Sequence, residues 1–132
     1  MTILRRYWDI KITKTAKKAA GRDNVSYAQF KAAVEAFEAL QYEESPVLRY
    51  DVVPVACTRG KLFRQRANRP LYLLHLRNIF AVVRQEREDG KRGTLVLLAV
   101  LHRSPDTYDP DVLQRLIEYV IAEAQQERAV TA

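Results

Sequence analysis

The run Leu95-Val96-Leu97-Leu98-Ala99-Val100-Leu101 holds no polar side chain and is bounded by Gly93 before it and Pro105 after it. A short apolar run between two breakers predicts a strand buried on both faces. Such a strand is stiff, so the residues at its far end are held in place: His102-Arg103, then Ser104-Pro105-Asp106-Thr107, then Tyr108. An imidazole, a guanidinium and a phenol mounted on a rigid element form the kind of arrangement that chemistry on phosphate requires.

The remaining chain sorts into elements that would surround this strand. Tyr7 to Thr13 alternates apolar and polar residues and predicts a strand with one wet face. Residues Thr15 to Gly21 predict a short helix exposing Lys14, Lys17 and Lys18. Ser26 and Gln29 have the spacing of a capping box, and Tyr27, Phe30, Val34, Phe37 and Leu40 follow at helical steps until Tyr42 to Pro46 breaks the pattern. From Leu48 to Pro70, Pro54 and Gly60 interrupt short apolar groups, which predicts edge strands joined by a basic loop. Leu71 to Gln85 has strand composition with a bend expected near Asn78, and Asp89-Gly90 with Gly93 predicts a hairpin into the apolar strand. Within it Tyr72, Leu74 and Leu76 share the better core face, which leaves Leu73, His75 and Arg77 on an open one. Asp109-Pro110-Asp111 starts a helix whose apolar stripe runs from Val112 to Ala124.

The resulting expectation is an α+β domain in which an N-terminal helical pair and a C-terminal helix pack on a small antiparallel sheet. At 132 residues the chain makes a single domain, residues 1–132, with an enlarged basic loop at about residues 47–69. The longest apolar run is far short of the ~20 residues of a membrane span and no secretory segment is evident, so no membrane partner and a cytoplasmic location are expected. One cysteine, Cys57, supports neither a disulfide nor a structural metal site. The formal charge of +6 favours polyanionic partners, because each cation set against a phosphate releases counterions. The cations crowd at Arg59, Lys61, Arg64, Arg66 and Arg69 around Phe63, which predicts a backbone-tracking surface with one stacking ring. The alternative is a solvated loop whose arginines pair with Glu86, Glu88 and Asp89.

Two segments carry a family likeness. Leu71-Tyr72-Leu73-Leu74-His75-Leu76-Arg77 with Ile79-Phe80-Ala81-Val82-Val83, and Val96 to Tyr108 around Val100-Leu101-His102-Arg103, resemble the RelE/ParE superfamily, the toxins of bacterial toxin–antitoxin pairs. The resemblance implies a ribosome-associated endonuclease that cuts messenger RNA with no metal or cofactor, the ribose 2′-hydroxyl attacking its own phosphate. It also implies a cognate antitoxin protein as partner. By the same resemblance Arg103 matches the arginine that neutralises phosphoryl charge, Tyr108 the tyrosine that stacks on or activates the substrate, and His75 a position where relatives carry a basic lysine. A guanidinium fork suits the first role, and an imidazole with a reference pKa near ~6.5 can act as base or acid. Arg77 and Arg84 join the cations of the basic loop as candidate nucleic-acid contacts. His102 and Arg103 fall on opposite faces of a regular strand, so one of them faces the site. The chain departs from the family at Ile79-Phe80-Ala81, where an arginine is common, and at Leu73 and His75, where lysines are. Two other outcomes therefore stay open: a ParE-like inhibitor of DNA gyrase, and an inactive RNA- or protein-binding member of the fold.

Overall fold

A computed structural model describes residues 4–18, 25–55, 58–66, 76–85 and 87–102, together with the helical positions Gln114, Arg115, Glu118 and Ala122. Strand β1 (Asp9–Ile12) is followed by a one-turn helix α1 (Lys14–Lys17), the longer α2 (Tyr27–Glu38) and two 3₁₀ turns. Four strands come next: β2 (Val52–Pro54), β3 (Phe63–Arg66), β4 (Leu76–Arg84) and β5 (Gly93–His102). They form one five-stranded sheet in the order β1-β5-β4-β3-β2.

The protein is thus α+β, but its sheet is mixed rather than antiparallel. Strands β2 to β5 are joined by antiparallel pairing, while β1 lies parallel to β5, Ile10 opposite Leu95. Alternating side chains mark a strand without revealing its direction, which is set here by the path through α2 between β1 and β2. The apolar run is the core of β5, and residues Leu95 to Val100 are all buried. Two clusters divide the faces. Leu95, Leu97 and Val100 join Trp8, Phe37, Leu76 and Phe80 under α2, whereas Val96, Leu98 and Ala99 join Val55, Leu62, Ile79 and Ala81. The run of β5 is therefore buried on both faces, as its composition predicts, and the face of β4 that was expected to be open is covered by a second apolar core.

The division also departs from simple alternation. Ile79 pairs with Ala99 but Phe80 pairs with Leu97, so Leu98 is an extra residue, a β-bulge that puts two consecutive side chains on one face. The bend predicted at Asn78 is absent from β4, and the irregularity lies on its neighbour.

Local signals hold best at the helices. Ser26 Oγ accepts from Gln29 N at 3.1 Å and Gln29 Oε1 accepts from Ser26 N at 2.9 Å, closing the capping box. Phe37 is buried, Phe30 and Val34 pack beside the first core, and Tyr27 stays exposed. Thr13 caps α1 through its hydroxyl and also donates to Leu97 O at 2.8 Å, tying the turn to β5. Gln114, Arg115, Glu118 and Ala122 are helical and exposed, complementary to the apolar stripe predicted for that helix. The stripe itself, and Asp109 to Asp111, lie outside the described residues, as do Gly21 and Cys57.

Candidate nucleic-acid interface

The basic loop of the sequence is the tip of the β2–β3 hairpin. Val55 N donates to Leu62 O at 3.0 Å, and Thr58 Oγ1 donates to Val55 O at 2.8 Å, so the base of the loop is closed from within. Lys61 N donates to Thr58 O at 3.1 Å across Arg59 (φ 54°) and Gly60 (φ 74°). Two successive left-handed residues inside that bond make a type I′ turn. Burial of Thr58 and Leu62 pushes Arg59, Gly60 and Lys61 into solvent. Arg59 has the only positive φ among described non-glycine residues. For a side chain with a Cβ this conformation costs about 1–2 kcal/mol, and turns of this type favour asparagine, aspartate or glycine there.

Strand β3 then sorts its side chains by alternation. Phe63 and Gln65 face α2, so Arg64 and Arg66 take the other face. Arg66 is exposed and sits directly opposite Arg77 of β4, while Arg64 is half-buried opposite Ile79. Arg77 itself is only 4% exposed, and its Nη1 donates to Leu76 O at 2.9 Å. It underlies the surface instead of lining it. Phe63 packs on Phe80, ring centroids 5.8 Å apart, on the side away from the arginines, so it is no stacking residue for them.

What holds this register is a buried amide pair that sequence reasoning passed over. Asn78 Nδ2 donates to Ala33 O at 2.9 Å and to Gln65 Oε1 at 3.1 Å; Gln65 Nε2 donates to Ala36 O at 2.9 Å and to Asp51 Oδ2 at 3.2 Å. Both side chains are fully buried. A one-residue slip of β3 would bury its arginines and break the three bonds that Gln65 makes, and unpaired buried amides are costly, so the pair specifies which face carries the cations. The available signal was two lone amides, each set inside an otherwise apolar or basic strand.

A second group of cations surrounds the β4–β5 turn. Arg84, Arg87, Lys91 and Arg92 line an open cleft of about 850 Å³. Arg84 lies over the Trp8 ring at 5.6 Å, and Arg5 and Arg92 flank Tyr7 at 4.7 and 5.8 Å. This group is largely neutralised from within. Asp9 bridges Arg87 and Lys91, the latter at 2.8 Å, Asp89 accepts from Arg87 at 2.7 Å, and Glu44 pairs with Arg92. The Lys91 ammonium, and then Arg87, hold the Asp9 carboxyl below its ordinary range against the opposing effect of burial.

Because the folded value lies below the unfolded one near ~3.9, the stabilisation is complete above that pH and is lost as pH falls through the folded value. Wild type and Asp9→Asn are therefore expected to converge in urea-unfolding stability as pH drops from about 7 to about 3. A gap of constant size would show that the charge of Asp9 does not clamp the turn.

The structure thus gathers Arg59, Lys61, Arg64 and Arg66 on one hairpin, with Arg77 beneath. Arg84 lies at the other end of β4, on the α2 face above Trp8, apart from them. Of the predicted acidic partners, Asp89 is engaged elsewhere, by Arg87 and Lys91 N, and Glu86 lies outside the described residues. Among the described residues no carboxylate pairs with Arg59, Lys61 or Arg66. His75, Arg103, Tyr108 and Arg69 lie outside the described residues, as does the His102 side chain. No helix among the described residues is long and apolar enough to cross a membrane. Compared with known protein families, curated proteins and solved structures, the chain matches none.

Proposed function

We propose that this protein grips RNA by its phosphates through the β2–β3 hairpin and acts as a RelE-like toxin, a ribosome-associated, metal-independent messenger RNA endonuclease. The observation that supports the reading most directly is Arg59: a guanidinium kept at a turn position that disfavours it, at the tip of a hairpin whose cations Lys61 and Arg66 have no described carboxylate partner. In this reading the hairpin positions the strand, Arg103 neutralises charge growing on the phosphoryl oxygens, and His75 and Tyr108 handle the protons of the attacking 2′-hydroxyl and departing 5′ oxygen.

Two measurements test it. The three exposed hairpin cations, Arg59, Lys61 and Arg66, on single-stranded RNA should give a salt slope of about 2.1 in log affinity against log salt, and Lys61→Ala should lower that slope by about 0.7. Arg59→Gly separates function from stability, since it relieves the turn and is expected to raise the unfolding free energy by about 1 kcal/mol while weakening RNA binding. RNA affinity unchanged in Arg59→Gly would remove the hairpin from the interface. For the catalytic part, wild-type protein added to translating ribosomes should cut messenger RNA and Arg103→Ala should not. Salt-dependent binding without cleavage would assign the protein to the inactive members of the fold. Inhibition of supercoiling without RNA binding would assign it to the ParE-like gyrase inhibitors.

A further inference from the structure

With Phe63 turned into the core, the hairpin cations lack the ring that was expected to stack on a base, and the most exposed large apolar side chain of the described protein lies near one of them, Arg66, at the end of the hairpin away from its tip. Tyr50 is 91% exposed and Leu48 82%, both in the turn that leads into β2. Asp51, the next residue, accepts Arg66 N at 2.9 Å through its carbonyl, so Tyr50 is one peptide unit from the strand position of an exposed hairpin arginine. The neighbouring Arg49 guanidinium lies 5.9 Å from the Tyr50 ring centroid and is fixed by Asp51 at 3.0 Å and Glu43 at 3.5 Å.

The backbone here is also closed to one competing use. As the sheet edge, β2 offers little for a further strand: Val52 N is taken by Arg49 O at 3.0 Å and Pro54 has no N–H. What remains accessible is the pair of side chains themselves. An exposed ring and an exposed aliphatic group beside Arg66, which pairs with no carboxylate among the described residues, have the chemistry of a base-stacking platform beside a phosphate track, since every nucleobase has a π-face and every nucleotide a charge.

We infer that Tyr50, supported by Leu48, is a subsite for an unpaired nucleobase, the phosphates of the same strand running over Arg66 and the hairpin tip. The inference rests on the reading of the hairpin as an RNA interface and adds to it the contact that distinguishes an unstacked strand from a duplex. A base inside a helix cannot open its face to Tyr50, so duplex RNA meets the cations alone. A protein segment covering Leu48 and Tyr50 is the competing occupant. The exposed Arg66 beside the pair favours the nucleic acid.

The test is binding of the full chain to a short, unstructured, fluorescently labelled RNA and to the same sequence annealed to its complement. Tyr50→Ala is expected to weaken the single-stranded complex by about tenfold or more, with the salt slope unchanged and duplex affinity unaltered. Tyr50→Phe, which keeps the ring, should bind like wild type. Because Tyr50 is so exposed, melting temperature should be the same in all three proteins, which separates a lost contact from a lost fold. Wild-type affinity in Tyr50→Ala, or an equal loss for both RNA forms, overturns the subsite while leaving the hairpin reading intact. Failure of the wild-type protein to bind either RNA strikes the hairpin reading itself.

Discussion

Phe80→Ala is expected to lower the unfolding free energy by about 3–5 kcal/mol, the range for deleting a large aromatic from a packed core. Phe80 is fully buried in the middle of β4, with the Phe37 ring of α2 at 5.3 Å and the Phe63 ring of β3 at 5.8 Å. Through it the apolar contacts of α2, β3 and β4 meet, so truncation removes contacts from three elements. Collapse to fill the void is opposed by the Gln65 and Asn78 amides, which anchor the same strands to α2 carbonyls. Domains of this size are stable by about 5–15 kcal/mol, so the variant should melt roughly 10–20 °C lower and a large share of its stability should be gone. Phe80→Leu should cost clearly less because most of the volume remains. Thermal and urea unfolding measure both, and an Ala variant within about 1 kcal/mol of wild type would mean that α2 does not pack on β4 as described.

Gly93→Ala should be as damaging for a backbone reason. At φ +146° a Cβ built on Gly93 falls 2.0 Å from Val83 O and 2.9 Å from Val83 C, with Arg84 Cα at 3.0 Å. All three atoms belong to the backbone of β4, so no rotamer change relieves the overlap, and the β4–β5 ladder must open where Gly93 pairs with Arg84. Overpacking and a disfavoured conformation together are expected to cost about 3 kcal/mol or more. Gly90→Ala in the same hairpin is the control. Its nearest neighbour would be Arg5 Nη2 at 3.6 Å, the end of a flexible side chain, leaving only the strain of φ +82° at about 1–2 kcal/mol. Equal losses for the two variants would refute the close approach at Gly93. Amide exchange of the β4–β5 pairs should report the opening directly in the Gly93 variant.

The elements that could be read from the chain are those whose signals are local. The capping box at Ser26 and Gln29, the apolar strand after Gly93 and the turn at Asp89-Gly90 depend on residues a few positions apart, and each stands where its pattern puts it. The cation cluster was legible for the same reason, being dense in sequence before it became dense in space. The orientation of its members was not. Phe63 and Arg64 differ in fate only because Gln65 reaches α2, a contact spanning 29 residues. Asn78 alone predicts a bend, and only its meeting with Gln65 across β3 and β4 turns the two into the determinant of register.

The bulge at Leu98 makes the same point inside the most conspicuous segment of the chain. An apolar run without interruption identifies a buried strand because every position can pay the desolvation of either face, and for that reason it has no alternation from which a skipped pairing could be inferred. Composition and spacing therefore decided that this chain makes an α+β domain around one central strand, with a basic hairpin beside it. The parallel seat of β1, the second core beneath Arg77 and the exposure of Tyr50 arise from contacts between segments far apart in the chain. Their energies depend on which neighbours arrive, and no window of sequence contains both partners.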